Sequence, residues 1–144
     1  MRSRLTFFVA IVAVGLAAFA VGYSVGQEKK SSRVYELRTY TTLPGRLPAL
    51  HKRFAEHTMK LFEKHGIKNE TYWTPLDDER KDNTLIYVVS HESREAADKN
   101  WKAFGDDPEW KQVAAASQTD EAGGKIVSKV ERVWMKLTDY SPVK

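Results

Sequence analysis

The period of the apolar positions changes several times along the chain, and each change marks an element. Residues 34–40, Val-Tyr-Glu-Leu-Arg-Thr-Tyr, alternate as a strand does. Tyr35, Leu37 and Thr39 share one face; Glu36, Arg38 and Tyr40 share the other. Pro44-Gly45 stops that strand. Over 46–65 the apolar positions are Leu47, Leu50, Phe54, Leu61 and Phe62, with Thr58 on the same stripe, which is the spacing of an amphipathic helix. Gly66 suits the position just past its end. Residues 67–75 and 84–90 predict two further strands, separated by a charged turn over 76–83. Ser93 is an N-cap for a helix carrying Ala97, Trp101 and Phe104. Gly105-Asp106 interrupts it, and Asp107-Pro108 restarts a helix with Trp110, Val113, Ala114 and Ser117 on one face. Residues 126–137 predict the last strand.

The order β-α-β-β-α-β predicts an α+β, ferredoxin-like protomer, an antiparallel four-stranded sheet with both helices on one face. The other face needs a cover. In a chain this short, a second copy of the same sheet is the usual one, which predicts a homodimer. Tyr40, Tyr72, Trp73, Tyr87 and Trp134 offer aromatic bulk for that interface, and Glu36 with Arg38 reads as an ion pair along its seam.

The first residues stand apart in composition. Arg2 and Arg4 precede an uncharged, mostly apolar run from Leu5 to Val25, about 21 residues and long enough to cross a bilayer core. Residues 1–26 therefore predict either a cleaved signal peptide, with Ala18-Phe19-Ala20 as its processing site, or a retained transmembrane signal-anchor. Residues 27–32 are a polar linker, and 33–140 form the domain. The expected location is membrane-anchored with the domain outside the cytoplasm, or secreted or periplasmic if the leader is removed.

Charge and cysteine content then exclude several classes. The 144-residue chain has 23 Lys and Arg against 19 Asp and Glu. Arg2, Arg4, Lys29, Lys30 and Glu28 belong to the leader and linker, which leaves the domain with 19 basic and 18 acidic residues. No basic face follows, so nucleic acid is not an expected partner. The absence of cysteine removes disulfides and thiolate chemistry. His51, His57, His65 and His91 form no metal-binding motif, and no phosphate-binding glycine loop or nucleophile elbow occurs. No cofactor, no metal and no catalytic set is expected.

The order and spacing of several short motifs resemble the NIPSNAP family. They are Val34-Tyr35-Glu36-Leu37-Arg38-Thr39-Tyr40 with Pro44-Gly45, Phe54 and His57, Glu63-Lys64-His65-Gly66, Tyr72-Trp73-Thr74 and Asp107-Pro108-Glu109-Trp110. The resemblance covers residues 34 to about 138. It implies a protomer that pairs through its sheet into a dimeric α/β barrel, and it carries no agreed catalytic residues. The residues themselves leave three readings open: a dimeric domain that binds a small molecule or protein without defined catalysis, a cofactor-independent monooxygenase or haem-handling enzyme, and a purely structural dimer. The candidate ligand-binding residues are Glu36, Arg38, Tyr40, His57, Tyr72, Trp73 and Trp134. Glu36, Arg38 and Tyr40 share a polar strand face; His57 can exchange a proton near neutral pH; Tyr72, Trp73 and Trp134 can wall a flat apolar ligand.

Overall fold

The computed structural model describes residues 33–143. The expected leader and linker, 1–32, lie outside these residues. Among the described residues, no helix is long and apolar enough to cross a membrane. Four strands, β1 (Val34–Thr42), β2 (Lys68–Trp73), β3 (Thr84–His91) and β4 (Val127–Met135), form one sheet in the order β2-β3-β1-β4. Every neighbouring pair is antiparallel. Four helical segments accompany them: α1 (Leu47–Arg53), α2 (Met59–Lys64), α3 (Arg94–Asp106) and α4 (Pro108–Ala116). The fold is the ferredoxin-like α+β arrangement.

The first amphipathic helix is not uniform. A five-residue π turn, Phe54–Thr58, joins α1 to α2. Wide turns of this kind are rare and concentrate at functional sites. Leu47, Leu50, Phe54, Thr58, Leu61 and Phe62 all stay buried through it, so the stripe legible in the sequence survives. Gly66 ends α2 with φ +72°, the left-handed conformation that glycine adopts without strain. The Gly66 carbonyl accepts from Asn100 Nδ2 at 2.9 Å, which ties this corner to α3.

Both later caps form as the sequence predicts, although α3 runs on to Asp106 and breaks only at Asp107-Pro108. Ser93 Oγ accepts from the Ala96 N–H. Asp107 Oδ1 accepts from the backbone N–H groups of Glu109 and Trp110, while Oδ2 lies 2.8 Å from Lys64 Nζ and 2.5 Å from His65 Nε2. One carboxylate thus clasps the end of α2 to the start of α4. The contacts with Lys64 and His65 hold it well below the usual carboxylate range. A depressed folded-state pKa means the clasp's contribution is complete above the ordinary aspartate value of 3.8 and falls away only as pH drops toward the far lower folded value. Asp107→Asn should lower the thermal midpoint at pH 7, and the gap to wild type should narrow below pH 3.8 without closing by pH 3. No gap at pH 7, or one already closed at pH 4, would refute the clasp.

The core lies between the helices and one face of the sheet. Tyr87 is fully buried, with Tyr40, Phe54 and Tyr72 at ring-centroid distances of 5.3, 5.2 and 5.3 Å. Phe62 packs edge-on against Trp101 and Phe104. This placement corrects two expectations. Glu36, Arg38 and Tyr40 point toward the helices and not toward a dimer seam. Tyr40, Tyr72, Tyr87 and Trp134 lie on that same inner face, and so are not interface bulk. Strand alternation fixes which residues share a face but not which face the helices cover. The helices bring Trp101 and Phe54 onto this face, where Glu36 and Tyr40 meet them.

The opposite face carries Tyr35, Leu37 and Thr39 of β1, paired with Val88 and Ile86 of β3 and with Met135 and Val133 of β4. It takes no part in the described core, and Val133 is 56% exposed.

Candidate functional site

The inner sheet face holds charges that a closed core ordinarily excludes. Glu36 has a fully buried side chain, and its Oε2 accepts from Trp101 Nε1 at 2.7 Å. Arg38 Nη1 lies 3.4 Å from Glu36 Oε1, and the guanidinium stacks over the Trp101 ring at 4.2 Å and faces Tyr40 at 5.6 Å. His91, fully buried at the end of β3, places Nε2 3.8 Å from Glu36 Oε2. Its ring sits between those of Trp101 and Trp134, 5.9 and 6.0 Å away. Arg94 closes this end with its guanidinium 3.7 Å from the Trp134 ring centroid.

Burial alone would raise the pKa of Glu36. The His91 contact, the Arg38 charge and the Trp101 N–H together outweigh it, and the carboxyl stays below its ordinary value. Hydrogen bonding is nonetheless incomplete. Glu36 Oε1, Arg38 Nε, His91 Nε2 and the Tyr87 hydroxyl are all buried without a hydrogen-bond partner. Buried polar atoms are nearly always satisfied, and these four on one inner face fall short of that, although Glu36 Oε1 keeps its ion pair with Arg38. Burial, with the neighbouring Tyr40, holds the Tyr87 hydroxyl far above its ordinary pKa, so it is neutral and able to donate.

The sequence-derived candidates separate into groups. Glu36, Arg38 and Trp134 come together, joined by His91, Trp101 and Arg94. Tyr40 and Tyr72 belong to the adjoining aromatic cluster, with Tyr72 stacked on Tyr87 at 11° and donating to Asn69 Oδ1. Trp73 is apart: it pairs with Ile86 and is 49% exposed at the rim of a cleft of about 280 Å³ between the π turn and β2. His57 joins neither group. It is exposed, and its Nε2 meets Glu56 at 3.9 Å, so nothing positions it for chemistry. His91, Trp101 and Arg94 are the members of this cluster that sequence reasoning did not assign to a site; for His91 the signal was the alternation Leu85, Tyr87, Val89, which continues to it. Among the described residues no group of His, Asp and Glu is placed to hold a metal ion.

The NIPSNAP family profile matches residues 35–142, nearly all of the described chain. The chain belongs to the NIPSNAP family. Solved structures agree with that assignment. An uncharacterized NIPSNAP-like domain protein from Burkholderia xenovorans superposes with a TM-score of 0.64 at 12% identity, over 78% of this chain and 90% of that one. A NIPSNAP family protein of unknown function from Agrobacterium tumefaciens gives 0.65 at 18% identity, over 79% and 96%. A second NIPSNAP family protein from that organism gives 0.64 at 14%, over 78% and 99%. At these identities the likeness establishes the fold and leaves activity open. A search of curated proteins returns no match.

Proposed function

We propose that this NIPSNAP domain is a homodimeric binding module, tethered to a membrane or exported by residues 1–26, which holds a small polar molecule between its sheet and α3 without a defined reaction. The observation that carries this reading is the set of unpartnered buried atoms around the Glu36–Arg38 pair. His91 Nε2, 3.8 Å from Glu36 Oε2, and the Tyr87 hydroxyl add two more buried polar atoms without a hydrogen bond on that face. Trp101, with its N–H on Glu36 and its ring under Arg38, orients both charges. A ligand carbonyl or carboxyl would meet Arg38, and a ligand donor would meet Glu36.

The second copy would cover the outer face, where Leu37, Val88 and Val133 present apolar side chains in register. Native mass spectrometry of the full chain purified from its source tests both parts. The expected mass is a dimer carrying a small molecule, which Glu36→Gln/Arg38→Gln loses while remaining dimeric. A bare mass across preparations removes the ligand. Leu37→Glu should yield monomers by light scattering, and a dimer that survives it would place the interface elsewhere.

A catalytic reading draws on one contact, the fully buried Glu36–His91 pair, which can pass a proton. Oxygen uptake with hydroxylated aromatics, abolished in His91→Ala, would support a monooxygenase. No uptake would remove it.

A further inference from the structure

The π turn accounts for the cleft at the β2 edge of the sheet. In a regular α-helix, residues five apart stand about 140° apart around the axis. Here the Met59 N–H donates to the Phe54 carbonyl, and that five-residue step brings Phe54 and Met59 onto one side of the helix. The Thr58 hydroxyl secures the turn by donating to the Arg53 carbonyl at 3.1 Å. Phe54, Ala55 and Met59 then line the cleft of about 280 Å³ together with Tyr72 and Leu85. A helix of uniform pitch would carry Met59 away from this space.

The lining sets what the cleft can hold. None of its residues is Lys, Arg, Asp or Glu, so an ion would find no counter-charge there. Tyr72 offers only its ring, because its hydroxyl is committed to Asn69 Oδ1. The polar groups left to a ligand are His51 Nε2 and Thr74 Oγ1, 3.4 Å apart at the solvent side. That separation is long for a hydrogen bond to a hydroxyl, so both atoms can turn to a ligand group. A ligand hydroxyl, which donates and accepts, suits either tautomer of His51. Size follows from the volume. An apolar cavity of about 150 Å³ takes one benzene ring, so this cleft has room for two fused rings.

We propose that the cleft is a second binding site, for an uncharged bicyclic aromatic molecule with one hydrogen-bonding group. The rings lie between the π turn and β2, and the polar group meets His51 and Thr74. The site is at the sheet edge formed by β2, two strands from Glu36 on β1, and does not depend on what the Glu36–Arg38 pair holds.

The test follows the methionine methyl groups of the full-length chain, labelled with ¹³C, as 2-naphthol or 2-naphthoate is added at pH 7. Of the three methionines, Met59 lines the cleft, Met135 lies on the outer sheet face and Met1 belongs to the leader. 2-Naphthol should move the Met59 signal saturably and leave Met135 in place. The naphthoate should bind at least about tenfold more weakly, since its charge has no partner. Ala55→Phe fills the space and should abolish the response of Met59 to 2-naphthol. Ala55 is exposed, so the thermal midpoint should hold. His51→Ala with Thr74→Val should weaken 2-naphthol about three- to tenfold, the worth of one hydrogen bond. A Met59 signal that does not respond, equal affinities for the two probes, or binding that survives Ala55→Phe overturns the site. Full affinity in His51→Ala/Thr74→Val overturns the polar contact. The wild-type response and the ratio of the two probes decide the matter even if a variant fails to fold.

Discussion

Glu36→Ala is expected to destabilise the domain by about 3–5 kcal/mol, the cost of leaving one member of a buried ion pair without its partner. The alanine removes the acceptor for Trp101 Nε1 and the counter-charge for Arg38 in one step. The loss should fall toward the lower end of that range, because the Arg38 side chain keeps 14% exposure and can draw on solvent. Replacing both members, Glu36→Leu with Arg38→Met, should recover most of the stability, since two apolar side chains of similar volume leave no charge to compensate. Urea titrations of the two variants and the wild type measure this. A single-variant loss under about 1 kcal/mol would mean that the pair is solvated and the inner face open. The pH dependence carries its own sign. Glu36 has a depressed folded-state pKa, so its contribution is complete above the ordinary glutamate value of 4.5 and disappears as pH falls toward the lower folded value. Wild type and Glu36→Ala should therefore converge in stability on acidification.

Tyr87 should separate two effects within one side chain. Tyr87→Ala empties the centre of the aromatic cluster, removing the ring on which Tyr72 stacks and against which Tyr40 and Phe54 set their edges. Large-to-small changes of this kind cost about 3–5 kcal/mol. Tyr87→Phe keeps the ring and removes a hydroxyl that is buried without a hydrogen-bond partner. It should be neutral or stabilising by up to about 1 kcal/mol, since an orphaned group contributes only its desolvation cost. Thermal unfolding of both variants gives the comparison. A loss of about 2 kcal/mol in Tyr87→Phe would show that the hydroxyl is bonded in solution, and the argument that it awaits a ligand would lose that support.

The element order was legible because each element carries its own local signal. Alternation marks β1, the unbroken apolar run Leu85 to Val89 marks β3, the Leu47-to-Phe62 stripe marks the first helix, and Ser93 and Asp107 both cap where expected. The site was legible only in part. Glu36 and Arg38 share a face by alternation, and no structure is needed to say so. What decides their role is Trp101, 65 positions beyond Glu36, and His91 at the far end of another strand. Local periodicity carries no information about such distant partners. His57 shows the converse. It was read as a candidate ligand contact able to exchange a proton, but it lies inside the π turn and is exposed.

The π turn also bears on how members of the family are compared. A π turn is, in effect, one residue accommodated inside an α-helix without lengthening the helix by a full step. A relative whose helix is regular would need one residue fewer between Leu50 and Leu61 to present the same side chains to its sheet. An alignment that spreads this difference elsewhere would shift Arg53 and Phe54 against their counterparts by one position. The gap belongs inside 54–58, and its presence or absence there sorts relatives by the shape of the helix that covers the inner face.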